Sequence, residues 1–239
     1  MTGAPLPFRA FVFDVDGTLA ETEELHRRAF NETFTEAGLD WHWDRSLYRE
    51  LLGTTGGKER IRAFMRDYAP ETAPTEDDIP ALHARKTWRY AELVAEGTLS
   101  LRPGIADLIA NARAEGLQVA VATTTNLPNV EALTRATGQG PAPQIFDAIA
   151  AGDMVKAKKP APDVFLLAAE MLGLPPTACL AFEDSRNGLI SAKAAGMACI
   201  VSPGPYTEGQ DFSEADLVVR CFSEVADMQA LRRKMARAA

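Results

Sequence analysis

The chain has 239 residues, 46% of them hydrophobic and 24% charged, which suits a globular protein of one domain plus an insert. Its 33 acidic and 25 basic side chains give a formal charge of −8, so bulk electrostatics attract neither nucleic acid nor an anionic membrane. An anionic substrate needs a locally positive pocket set into that field.

In chain order, the first predicted element is the strand "AFVFD" at 10–14, which runs into Asp14, Asp16 and Gly17. From 20 to 97 no strand is convincing. Helical stretches fill the segment instead ("EELHRRAFNETFTEAG", "KERIRAFMRDY" and "IPALHARKTWRYAELVAEG"), with a Pro-rich acidic loop at 69–78. Beyond it, strands and helices alternate. The strands are "QVAVAT" (118–123), "DAIAA" (147–151), "ACLAFED" (178–184), "ACIVS" (198–202) and a weaker "DLVV" (216–219). Helices stop at Gly116, Gly173 and Gly196, where glycine accepts the left-handed conformation that closes a last turn. Continuously apolar strands alternating with helices predict an α/β fold with a doubly wound parallel sheet. The core is expected at 1–19 and 98–239, with an all-helical cap at 20–97 joined to it near 18–22 and 97–102.

Three cysteines without metal-ligand spacing argue against a disulfide framework, and Cys179 and Cys199 sit in apolar runs as inert thiols do. No charged-then-apolar leader opens the sequence and no apolar run is long enough for a bilayer, so a cytoplasmic, soluble monomer is expected.

Two carboxylates at a strand tip cost electrostatic energy unless a cation or a chemical task requires them. "DVDGT" alone could be a turn, but it is not a calcium loop, since Gly17 stands fourth from Asp14 rather than sixth. Thr123 ends the second strand just before a helix opening near Pro128, a ready phosphate site that extends to Thr124. Lys159 lies in the loop after the third strand, and Glu183 with Asp184 ends the fourth. Ligand sites in open parallel sheets lie off the carboxyl ends of the strands, where all four features fall. "GTTGGKER" is no P-loop, because Leu52 and Glu59 occupy positions that a glycine and a magnesium-binding hydroxyl would need.

Together these residues resemble the four motifs of the haloacid dehalogenase superfamily, over nearly the whole chain. The helical insert after the first strand is similar to the beta-phosphoglucomutase-like branch. "DVDGTLAETEELHRRAFNETF", "TTGGKER", "VATTTNLPNVEAL" and "AAGDMV" resemble CbbY-type phosphatases, which dephosphorylate xylulose 1,5-bisphosphate, an inhibitor of Rubisco in the Calvin cycle. The resemblance implies a Rossmann-like core and a Mg²⁺-dependent phosphatase acting on a small sugar bisphosphate. A sugar phosphomutase and a phosphoglycolate phosphatase remain alternatives, and Gly56, at the position of a cap arginine in the mutase branch, weakens the first.

The resemblance further implies Asp14 as nucleophile and Asp16 as acid and base, the latter with a pKa raised by its carboxylate neighbours. Mg²⁺ would be held by Asp14, the Asp16 carbonyl, Asp184 and Glu183, and the phosphoryl group by Thr123, Thr124 and Lys159. In the cap, Glu23 is expected at a substrate hydroxyl, and His26, Gly56, Gly57, Lys58 and Lys86 at a distal phosphate. His83, one turn before Lys86, is either their neighbour or packing.

Overall fold

The structure is a computed structural model and describes residues 7–97 and 99–238; the expected domain limits at 1, 98 and 239 lie outside them. Among the described residues one six-stranded parallel sheet has the order β3-β2-β1-β4-β5-β6. Its strands are β1 (Ala10–Phe13), β2 (Gln118–Ala122), β3 (Ala148–Ala150), β4 (Cys179–Glu183), β5 (Ala198–Val201) and β6 (Leu217–Val218). β1 lies between β2 and β4, with Phe13 opposite both Val121 and Phe182.

Side chains alternate across the sheet, and the two faces differ in size. Phe11, Phe13, Val119, Val121, Leu180, Phe182 and Ile200 fill one face; Ala10, Val12, Ala120, Ala122, Ala181 and Cys199 form the other. Phe13 stacks on Phe182 at 4.7 Å between ring centroids. Burying each such ring contributes roughly 1.5–3 kcal/mol. The bulky face is covered by α5 (Ile105–Ala114), α6 (Leu127–Ala136), α7 (Ala142–Ile145) and α10 (Met228–Ala238). The small face packs α8 (Asp163–Leu172) and α9 (Arg186–Ala194). Helices on both faces make the sheet doubly wound.

Between β1 and α5 the chain forms α1 (Glu23–Glu36), α2 (Arg45–Leu51), α3 (Gly57–Tyr68) and α4 (Ile79–Glu96). Their own aromatic core joins Phe30, Phe34, Trp41, Trp43, Tyr48 and Phe64. The helix α2 was not foreseen; its start is fixed by Asp44, whose Oδ1 accepts the Leu47 N–H at 2.8 Å. The insert leans on the sheet domain through Tyr90, Leu93 and Val94, which pack near Ala132 and Ala136 of α6. Its two connections meet at Arg102. The Arg102 N–H donates to the Leu19 carbonyl at 2.8 Å, and its guanidinium donates to the carbonyls of Gly17 and Ser202. Cys179 and Cys199 are buried, and burial raises both thiols, Cys179 to about 11, which disfavours the reactive thiolate.

Candidate active site

The tips of β1, β2 and β4 converge on one ammonium group. Lys159 Nζ lies 2.6 Å from Asp14 Oδ1, 2.6 Å from Glu183 Oε1 and 2.9 Å from the Ala122 carbonyl. Its three hydrogens are thus matched by three acceptors, one from each strand end. Burial alone would favour the neutral amine, but Asp14 and Glu183 outweigh it and keep Lys159 charged, above the usual lysine range. The Glu183 carboxylate has no exposure and its second oxygen accepts the Asp184 N–H at 3.1 Å. Gly188 passes so close that an added Cβ would sit 1.9 Å from that carboxyl carbon.

Asp14, Glu183 and Asp184 each offer a carboxylate oxygen within 4.8 Å of the others, and all three are buried. Burial first, then the neighbouring carboxylates, raises Asp14 and Asp184 well above the ordinary aspartate range, with Lys159 opposing the rise at Asp14. A crowded set of hard oxygen donors fits Mg²⁺, and a bound cation would relieve the repulsion they face. Gly17, at φ +84°, leaves room for this group: a Cβ there would lie 2.3 Å from Asp184 Oδ2.

Asp16 points the other way. Its Oδ1 accepts the Thr22 hydroxyl at 2.6 Å and meets His26 Nε2 at 2.9 Å, while His26 Nδ1 meets Lys86 Nζ at 2.5 Å. That pattern assigns the imidazole hydrogen to Nε2, donating to Asp16, with Nδ1 accepting from the ammonium. The His26 ring stacks on Tyr90 at 3.9 Å, and Lys86 lies 4.6 Å from the centre of the Phe30 ring. Burial by itself would raise the Asp16 carboxyl, but His26, Thr22 and Lys86 overcome it and hold the group at about 2. The expectation that neighbouring carboxylates raise Asp16 is therefore overturned, because its closest partners are donors from the insert. Burial brings Lys86 down to about 7.

Both halves line one cavity of about 330 Å³ between insert and sheet domain. The expected distal-phosphate residues separate here. His26 engages Asp16 and Lys86 engages His26, whereas Gly56 (φ +90°) and Gly57 open α3 and Lys58 stands partly exposed, 3.9 Å from Asp153. His83 lines the same cavity, as a neighbour of these residues, and sits against the start of α3: its Nε2 would lie 2.2 Å from a Cβ on Gly57. Thr123 is buried, its Oγ1 accepting the Thr125 N–H at 3.1 Å, while Thr124 and Thr125 line the cavity. Glu23 lines it too and accepts the Tyr48 hydroxyl at 2.8 Å.

Sequence reasoning missed Arg60, Asn126, Asn129 and Thr207, all of which line the cavity. Asn126 was legible as the cap of α6, whose side chain accepts the Asn129 N–H. Thr207 donates to Asp184 Oδ2 at 3.2 Å from a loop with no motif of its own.

Comparison with known proteins agrees with this geometry. The model of the haloacid dehalogenase-like hydrolases matches residues 8–196. Protein CbbY of Cereibacter sphaeroides is 58% identical over 222 residues, covering 93% of this chain and 96% of that protein. Crystal structures of CbbY from Rhodobacter sphaeroides, one with phosphate and one of a mutant with xylulose-(1,5)bisphosphate, are 57% identical. Each covers 94% of this chain and 99% of the other, with a TM-score of 0.90. A beta-phosphoglucomutase from Clostridium difficile, 21% identical with a TM-score of 0.79 over 96% of this chain and 98% of that one, shares the fold. The chain is a phosphatase and belongs to the haloacid dehalogenase-like hydrolase family.

Proposed function

We propose that the enzyme is a Mg²⁺-dependent phosphatase of a sugar bisphosphate, with xylulose 1,5-bisphosphate as substrate. The substrate choice rests on the 57% identical CbbY structure that holds this sugar. Asp14, Glu183 and Asp184 would hold the ion, which neutralises phosphoryl charge and orients the transferring group. Asp14 Oδ attacks phosphorus, forming an aspartyl phosphate as the bond to the sugar oxygen breaks. Lys159, fixed beside Asp14, and the donors at Thr124 and Thr125 stabilise the charge that spreads over the phosphoryl oxygens, with Thr123 buried behind them.

The departing alkoxide takes a proton that His26 Nε2–H passes through the ionised Asp16, and Lys86 restores the imidazole by donating to His26 Nδ1. Asp16 then accepts a proton from the water that cleaves the aspartyl phosphate. Residues 20–97 act as a cap whose Lys58 and Gly56–Gly57 turn, at the start of α3, receive the distal phosphate, and Glu23 receives a sugar hydroxyl. The test is phosphate release from a panel of sugar mono- and bisphosphates with and without Mg²⁺. Preferred hydrolysis of xylulose 1,5-bisphosphate supports the assignment. Isomerisation without net phosphate release overturns it in favour of a mutase.

A further inference from the structure

Glu23 is flanked by empty space on two sides. It lines the catalytic cavity and also a second cavity of about 500 Å³, bounded by Glu21, Arg45, Arg49 and Tyr206 at the seam between insert and sheet domain. A glutamate that borders two cavities is only partly confined by packing, and side-chain entropy favours wandering between the two spaces.

A buried polar chain opposes that freedom. The hydroxyl of Tyr48, a residue with no exposure, donates to Glu23 Oε2 at 2.8 Å. Arg60 Nη1 donates in turn to the Tyr48 oxygen at 3.0 Å. Arg60 is itself anchored, since its Nε reaches the carbonyls of Leu51 at 3.2 Å and Thr54 at 3.3 Å. Its Cζ lies 5.2 Å from the centre of the Tyr48 ring. The chain runs from α3 through α2 to α1, and Arg60 grips both the end of α2 and the glycine turn before α3. Burial first, then Glu23, holds the Tyr48 phenol well above its ordinary pKa, so it remains a donor. With Oε2 taken, no side chain or N–H among the described residues donates to Oε1.

We propose that Tyr48 and Arg60 are positioning residues that aim Glu23 Oε1 into the catalytic cavity as an acceptor for one sugar hydroxyl, and so set the enzyme's preference among sugar epimers. This rests on the proposed sugar-phosphatase function. A site built to meet a hydroxyl rejects a sugar that misplaces it, whereas a loose carboxylate follows either epimer. Tyr48→Phe removes one oxygen and keeps the ring that packs against Trp43.

Hydrolysis of xylulose 1,5-bisphosphate, ribulose 1,5-bisphosphate and p-nitrophenyl phosphate, which has no sugar hydroxyl, tests this. Tyr48→Phe is expected to lower kcat/KM on the xylulose compound about tenfold, to narrow the epimer ratio and to leave p-nitrophenyl phosphate within twofold. In a Glu23→Gln background the same substitution should add nothing, as for a residue acting through Glu23. Arg60→Lys keeps the charge but loses the planar fork; it should narrow the epimer ratio in the same way and replaces Tyr48→Phe if that variant does not fold. Equal losses on all three substrates, or an additive loss in the Glu23→Gln background, overturn the proposal alone. A wild-type enzyme that hydrolyses none of them overturns the phosphatase function and the proposal together.

Discussion

Asp14 and Asp16 are separated by one residue and belong to different electrostatic worlds. Asp14 shares the buried acidic cluster with Lys159, and Asp16 is held ionised by a hydroxyl and an imidazole. Asp14→Asn is therefore expected to abolish phosphate release, by more than about 10³-fold, because an amide cannot form the acyl phosphate. The melting temperature should stay the same or rise, since one of three crowded carboxylates is gone. Retained turnover in that variant rules out the covalent route. His83 offers a test on stability. Burial, then Lys86 and Lys58, lowers it to about 3 from an ordinary 6.5. Below pH 6.5 the unfolded chain binds a proton that the folded chain refuses, so His83 contributes stability above 6.5 that is lost as pH falls toward 3. Urea midpoints at pH 7.5 and pH 5 should show about 1–2 kcal/mol less acid destabilisation in His83→Gln than in the wild type. Identical pH dependence would mean that this imidazole is freely protonated in the fold.

Single elements divide into those a short window reveals and those it does not. The strands β1 to β5 were legible because their runs are apolar and mostly buried, and β1 and β4 also because their carboxyl ends break into charge; β6, with Val218 exposed, gave the weakest signal. Helix ends at Gly116 and Gly173 were legible through their left-handed backbone. The helix α2 was hidden, since its seven residues bury only Tyr48 and Leu51, too few to set a period. Arg60 was hidden for the opposite reason: in "KER" it resembles a solvated charge, and its burial depends on carbonyls from α2 and the turn before it. The direction of Asp16 depends on His26 and Lys86, ten and seventy residues away along the chain, so no local pattern carries it. At this scale the start of α3 makes a prediction. Lys58→Ala should lower kcat/KM at least tenfold on a bisphosphate and less than threefold on a monophosphate, because remote binding energy helps stabilise the transition state. Equal losses on both would remove α3 from the distal-phosphate role.

At the scale of the molecule, insert and sheet domain are held around the cavity by scattered polar contacts. Asn187 donates to the Gly53 carbonyl at 3.1 Å, Arg49 to the Pro205 carbonyl at 2.7 Å, and the Tyr206 hydroxyl to Glu24 at 2.5 Å. Contacts of this kind are individually weak, as suits a seam that must part to admit substrate. The acidic cluster beneath it is expected to respond to metal. Mg²⁺ should raise the melting temperature by several degrees, chelation should remove both that gain and the activity, and Ca²⁺ should bind yet inhibit through its looser coordination. A melting curve indifferent to Mg²⁺, with full activity after chelation, would exclude the metal assignment. The bond between Arg102 and Leu19 reaches beyond this one enzyme. It brings the ends of the long excursion from 20 to 101 side by side at the rim of the sheet. Because the entropy of closing a loop grows only with the logarithm of its length, the sheet is almost indifferent to what is threaded between those two points. The hinge is thus a socket. Another module can be seated there without disturbing the strand ends that hold Asp14, Glu183 and Lys159 together.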